Sequence, residues 1–165
     1  MVVDGIVKII DGLKWTFDKK NNSEIVKDKV NDKEIIISKP QTFMNESGKA
    51  VQSIINYYKI NISDVVVIAD DINLEPGIVR IRKGGSDGGH KGLKSVIDHI
   101  GENFWRVRVG VGSNTGEPSE SFVLKKMTSE ELSTLNKTID KTVDYLIESI
   151  SKKNQLQEET INVTP

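Results

Sequence analysis

The chain has 165 residues, 36% of them hydrophobic, which suits one compact core and leaves little room for a second domain. Its 23 basic and 24 acidic side chains give a formal net charge of -1, so it is not built to coat polyanions and any such site must be local. With no cysteine there is no disulfide, thiol nucleophile or thiolate metal site, and His90 and His99 cannot by themselves build a structural zinc site.

Val2, Val3, Ile6, Val7, Ile10 and Leu13 recur at helical spacing and predict an amphipathic helix over residues 2–13, with no capping residue ahead of it. Glu24 to Val30 and Glu34 to Ser38 are rich in Val and Ile, and Asn31-Asp32 between them is turn chemistry, so a hairpin ended by Pro40 is predicted. From Glu46 the positions Ala50, Val51, Ile54, Ile55 and Tyr58 trace one helical face. Ser63-Asp64 then introduce Val65 to Ala69, which reads as a strand buried on both faces. Ile78 to Arg82 is a short strand after the Pro76-Gly77 turn, Gly84 to Gly89 a flexible loop, and Leu93, Val96, Ile97 and Ile100 a helix. Trp105, Val107, Val109 and Val111 alternate with Arg106, Arg108 and Gly110, the pattern of a strand with one polar face. After loop-like residues 112–118, Thr128 to Glu131 resembles a capping box that opens a long helix through Leu132, Leu135, Ile139, Val143, Leu146 and Ile150. Residues 151–165 read as a polar, mobile tail.

Strands alternating with helices predict a single α/β domain over residues 1–150, with a mixed, mostly parallel twisted sheet and helices on both faces. No apolar run approaches the roughly 20 residues of a membrane span. Met1 to Ile10 carries Asp4 and Lys8 where a signal peptide is apolar, so a cytoplasmic protein without a membrane partner is expected.

Ligands of such sheets gather at the carboxyl ends of strands, and Asp70-Asp71 follow the most apolar strand directly. One of these carboxylates can orient a base at the rim of a low-dielectric core, or the pair can simply form a turn. Asp71 to Glu75 faintly resembles a calcium loop but lacks its sixth-place glycine and twelfth-place glutamate. Gly84 to Gly92, reading GGSDGGHKG, runs into a helix, where glycine-exposed N–H groups can seat a phosphate; the Walker pattern is missing, so an NTPase is not expected. Between Ile78 and Arg108 seven basic residues face three acidic ones, a local excess of basic charge around this loop. His90 can donate to a phosphate or move a proton, whereas His99 reads as structural. Asn45, just before a helix, reads first as an N-cap and second as a substrate-orienting amide. Trp15, Phe17, Tyr57, Tyr58 and Trp105 are too scattered in sequence to suggest a base-stacking platform.

Four segments together resemble the bacterial peptidyl-tRNA hydrolase family, in order and at the expected spacing: Lys39-Pro40-Gln41-Thr42-Phe43-Met44-Asn45-Glu46-Ser47-Gly48, Asp70-Asp71-Ile72-Asn73-Leu74, Gly84 through Leu93, and Trp105 to Gly112. The resemblance runs from Met1 to about Ile150. It implies hydrolysis of the ester between a peptide and the terminal ribose of its tRNA, releasing free tRNA and N-blocked peptide after aborted translation. It implies no metal or cofactor, peptidyl-tRNA as partner, no DNA, and a monomer. By this resemblance Asn45 orients substrate and water, Asp70 supports the catalytic histidine, and Phe43 and His90 line the substrate cleft. Arg82, with Arg80 and Lys83 beside it, holds tRNA phosphates.

Two departures stand out. Lys91 occupies the place of a usual asparagine after His90, where its ammonium can contact phosphate or the ester oxygen. The family also opens with a strand, a Gly-Asn-Pro-Gly turn and an Arg-His-Asn segment bearing the general-base histidine, and Met1 to Asp4 resembles the helix that follows them. A histidine base is worth about 10²- to 10⁴-fold in rate. A lost buried strand removes on the order of 5 to 10 kcal/mol, comparable to a whole domain's stability. The expectation is therefore that the sequence given begins at an internal methionine of a longer protein and that residues 1–165 alone are inactive and poorly folded. The alternatives are a non-catalytic tRNA-binding remnant, and a chain in which His90 is recruited as the base.

Overall fold

A computed structural model of the chain describes residues 1–10, 13–30, 33–112, 128–153 and 156–163. Helix α1 spans Val2–Ile9 and is followed by strands β1 (Thr16–Asp18), β2 (Ser23–Val30) and β3 (Lys33–Pro40). A 3-10 turn at Met44–Glu46 leads into α2 (Ser47–Tyr58), then β4 (Val66–Asp71), β5 (Ile78–Lys83), α3 (Lys91–Ile100) and β6 (Trp105–Gly110). Helix α4 (Ser129–Glu148) and β7 (Glu159–Asn162) complete the described chain.

The strands form two sheets, ordered β1-β2-β3 and β4-β6-β5-β7. The first is antiparallel throughout. In the second, β4 and β6 run parallel while β5 pairs antiparallel with β6 and β7. The expected α/β domain with a mixed sheet is therefore present, but that sheet is not mostly parallel: among the described strands only β4 and β6 pair in parallel, because β5 returns antiparallel beside β6 and β7 pairs along it. Paired residues on neighbouring strands share a face, so Val79 with Val109 and Ile81 with Val107 turn one side of the sheet apolar. Val2, Ile6 and Val7 of α1 and Leu135, Ile139, Val143 and Leu146 of α4 close over that side. Leu93, Val96 and Ile100 of α3 cover Val67 and Ala69 on the other.

Helix α4 begins as its sequence signature requires: Thr128 Oγ1 accepts from the Glu131 N–H while the Glu131 carboxylate accepts from the Thr128 N–H. Its buried Thr138 and Thr142 hydroxyls donate to the carbonyls of Thr134 and Thr138, which satisfies polar groups that burial would otherwise penalise. Helix α1 ends at Ile9, where Ile10 turns to extended backbone, short of the predicted end at Leu13.

Two other expectations are corrected. Val65 to Ala69 does not sit buried on both faces: β4 is an edge of its sheet among the described strands, and Val66 is 39% exposed. The polar face expected of β6 forms, with Arg106 and Arg108 opposite Arg82 and Arg80, although Arg106 is only 2% exposed. Part of the polar tail is ordered, since Glu159–Asn162 pair along the free edge of β5 through backbone groups that need no apolar side chains. The three-residue strand β1 carries no periodicity in the sequence and is set by its pairing with β2. The Asn31-Asp32 turn, residues 11–12 of the first predicted helix and most of the 112–118 loop lie outside the described residues.

Candidate active site

Asp70 is the penultimate residue of β4, half-exposed, at the carboxyl end of the parallel pair. Its carboxylate Oδ1 lies 3.3 Å from Nε2 of His90, twenty residues further along the chain. The hydrogen bond from His90 holds the Asp70 carboxyl below the usual carboxylate range, against the opposing effect of desolvation. Asp71, one residue on, has a different place. It is buried, its Oδ1 accepts from the Asn73 N–H at 2.9 Å, and its Oδ2 forms an ion pair with Arg108 Nε at 2.9 Å whose N–H is not aimed at the oxygen. The adjacent carboxylates thus divide into one that faces the site and one that builds the turn beneath it.

His90 is the N-cap of α3: its Nδ1 accepts from the N–H groups of Gly92 and Leu93, both at 3.1 Å. With Nδ1 accepting, the ring proton sits on Nε2 and donates to Asp70, so the neutral imidazole has both nitrogens engaged. Within the glycine run the Gly89 N–H donates to Asp87 Oδ1 and the His90 N–H to Asp87 O, while the Gly92 and Leu93 amides donate to the imidazole, so these four N–H groups are turned inward rather than toward a phosphate.

The turn carrying Asn45 packs on the start of α3. A Cβ built at Gly92 would lie 2.6 Å from Met44 Sδ and 2.9 Å from His90 Cε1, so Met44 and His90 flank the same glycine. Asn45 does not cap α2. It sits exposed in the middle of the 3-10 turn, and the N-cap position falls on Glu46, which makes no side-chain cap bond. Phe43 is 79% exposed and lines a concavity of about 280 Å³ with Asn22, Gln41, Thr42 and Glu46. Lys91, the first residue of α3, is exposed beside His90. The structure therefore brings Asp70 and His90 into contact and sets the Phe43–Asn45 turn against His90.

Two close approaches fix this arrangement. Gly48 donates its N–H to Ser95 Oγ at 3.0 Å, and a Cβ there would stand 2.1 Å from the Ser95 carbonyl oxygen and 2.6 Å from His99 Nδ1. His99 Nδ1 is bonded to Ser95 O within the helix, the structural place expected for it. At Gly88 the backbone is left-handed (φ +60°) and a Cβ would meet Arg108 Nη2 at 2.1 Å, so Arg108 bridges the Asp71 turn and the glycine loop. This bracing by Arg108 had no signal in the sequence beyond membership of the basic segment.

Cross-strand register puts Arg80 opposite Arg108 and Arg82 opposite Arg106, all on one face of the sheet. Arg80 is exposed. Arg82 is tied to β7, its Nη1 donating to the carbonyls of Ile81 and Glu159 and its Nη2 to Thr160 Oγ1. Lys83 is exposed, with its ammonium 5.9 Å from the Trp105 ring centroid. Arg106 stacks 4.4 Å from the Phe104 ring centroid and donates weakly to Glu102 O at 3.4 Å, while its buried Nε and Nη1 have no protein partner. Burial pushes its guanidinium pKa down. Replacing one unpaired buried charge by an apolar side chain of similar length removes a desolvation penalty. Arg106→Met is therefore expected to leave the midpoint of thermal unfolding unchanged or raised, and a clear fall would show that the guanidinium stabilises the fold.

A family model described as peptidyl-tRNA hydrolase matches residues 1–164. The chain belongs to the peptidyl-tRNA hydrolase family. It is 40% identical over 129 residues to the peptidyl-tRNA hydrolase of Levilactobacillus brevis, an alignment covering 78% of this chain and 70% of that one. Against the peptidyl-tRNA hydrolase of Wolbachia sp. subsp. Brugia malayi the identity is 41% over 133 residues, with the same coverage. The crystal structure of peptidyl-tRNA hydrolase from Acinetobacter baumannii superposes with a TM-score of 0.83 at 28% identity, over 89% of this chain and 75% of that chain. Family membership gives the Asp70–His90 contact its chemical setting. Among the described residues, no helix is long and apolar enough to cross a membrane, and no group of three or more His, Asp or Glu is placed to hold a metal ion.

Proposed function

We propose that the chain acts on the ester linking a peptide to the terminal ribose of tRNA, with water as nucleophile, yielding free tRNA and an N-blocked peptide. The observation that carries this reading is the Asp70–His90 contact at 3.3 Å, at the carboxyl end of β4 and against the turn bearing Asn45. In this reading the Asn45 amide orients substrate and water, Phe43 contacts the peptide, and Lys91 is set at the ester or a nearby phosphate. Arg80, Lys83 and Arg82 meet tRNA phosphates. The work is metal-independent and cytoplasmic, carried out by a monomer.

The hydrogen bonds assign His90 a defined part. Accepting a proton at Nδ1 would break two bonds to the start of α3, so His90 orients and holds Asp70 rather than serving as general base. The free lone pairs of Asp70 are the proton acceptors within reach, and a carboxylate held below its usual range is a weak base near neutral pH. Cleavage by residues 1–165 is then slow.

The committed lone pair of His90 also favours a second reading, binding of tRNA without cleavage. Both are tested by incubating residues 1–165 with an N-blocked aminoacyl-tRNA and measuring released tRNA alongside binding. Slow, protein-dependent release with salt-sensitive binding supports the hydrolase. Salt-sensitive binding with release no faster than in buffer supports the binding protein, and absence of both refutes each.

A further inference from the structure

At the end of α2 remote from His90, about 16 Å along the helix axis at 1.5 Å per residue, lies a separate open concavity of about 620 Å³. Lys14, Lys19, Lys20 and Lys27 line it together with Phe17 and Tyr58. Residues that are scattered in sequence are gathered here because β1 pairs with β2, setting Thr16 opposite Ile25 and Phe17 opposite Glu24, while Tyr58 at the C-terminal end of α2 lines the same hollow.

The charge is one-sided. Asp18 is the single acidic residue of the lining, and its carboxylate is already occupied by the N–H groups of Lys20 and Asn21 and by Asn21 Nδ2. The lysines are held by rings instead: Lys20 Nζ is 4.1 Å from the Tyr57 ring centroid and Lys27 Nζ 4.3 Å from that of Tyr58. Phe17 is 56% exposed, a large apolar ring kept at the surface among cations. Cations fixed along a groove with an open aromatic face match a polyanion that also has flat apolar rings. An acidic peptide would use the lysines but leave Phe17 without a role.

We propose that this concavity is a second RNA-binding surface, taking unpaired nucleotides with phosphates against Lys19, Lys20 and Lys27 and a base on Phe17. The choice of RNA rests on the proposed action on peptidyl-tRNA; the surface itself rests on the lysines and the ring.

The test is fluorescence anisotropy of residues 1–165 with a short unstructured RNA oligonucleotide across a salt series. Log affinity is expected to fall against log salt with a slope near about -2, from roughly 0.7 per phosphate neutralised by three lysines. The triple variant Lys19→Gln, Lys20→Gln, Lys27→Gln should flatten that slope, and Phe17→Ala should weaken binding about tenfold without changing it. Lys141→Gln, at an exposed position of α4, should leave both unaltered. Unchanged unfolding midpoints for these surface variants establish that the fold persists. The proposal is overturned if the wild type does not bind, if the triple variant binds as the wild type does, if Lys141→Gln alone abolishes binding, or if polyglutamate of equal charge displaces the RNA as well as free RNA does. Release of tRNA from the N-blocked substrate is scored separately, so the ester reaction can fail while this surface stands, and the reverse.

Discussion

Asp70→Asn is expected to lower the release of tRNA from an N-blocked aminoacyl-tRNA by about 10²-fold or more while leaving tRNA affinity within a factor of about two. The amide is nearly the same size, so the turn and β4 persist, but it cannot take up a proton and meets the His90 Nε2–H with weaker charge complementarity. The pH dependence has a definite sign. Because the folded-state pKa of Asp70 is depressed, the stabilisation from its ionised form is present above the ordinary aspartate value of 3.8 and is lost as pH falls through the lower folded value. Any acid limb in the rate that belongs to Asp70 should therefore lie below that ordinary value. Rates of the variant equal to wild type at neutral pH would remove Asp70 from the reaction.

Gly48→Ala is expected to reduce stability by about 2 to 3 kcal/mol, since the new methyl must displace a backbone carbonyl and not a flexible side chain. For a chain of this length that corresponds to roughly 5 to 10 °C in the unfolding midpoint. The effect reaches the site because α2 and α3 meet at this glycine, and the turn holding Asn45 continues directly into α2. A midpoint within about one degree of wild type would mean that the two helices separate freely at this contact.

Much of this architecture is readable in the amino-acid order. The capping box at Thr128 and the apolar stripe from Leu135 to Leu146 specify α4, and the alternation from Trp105 to Gly110 specifies β6. Strand β4 is legible as a strand but not as an edge, because an apolar run reports what a strand can bury and not which neighbours it has. Strands β1 and β7 escape notice for opposite reasons: Thr16–Asp18 is too short for periodicity, and Glu159–Asn162 is polar and held by backbone pairing. At the site, Asp70, Asn45 and His90 are conspicuous as polar residues at element boundaries, and their resemblance to a known family ties them together. Their contact is invisible, since twenty residues and a strand separate Asp70 from His90. Nor does sequence suggest that a histidine caps α3, a place usually taken by Ser, Thr, Asp or Asn. Arg106 misleads in the same way, as alternation marks it polar without saying that Phe104 and the glycine loop bury it.

That imidazole cap makes a single side chain the keystone of the first turn of α3. His90→Ala orphans the Gly92 and Leu93 amides at once, so their hydrogen–deuterium exchange should speed relative to amides deeper in the helix such as Ile97. Two backbone positions would then report whether the ring beside Asp70 is seated, with the order of a helix end and the order of the site rising and falling together.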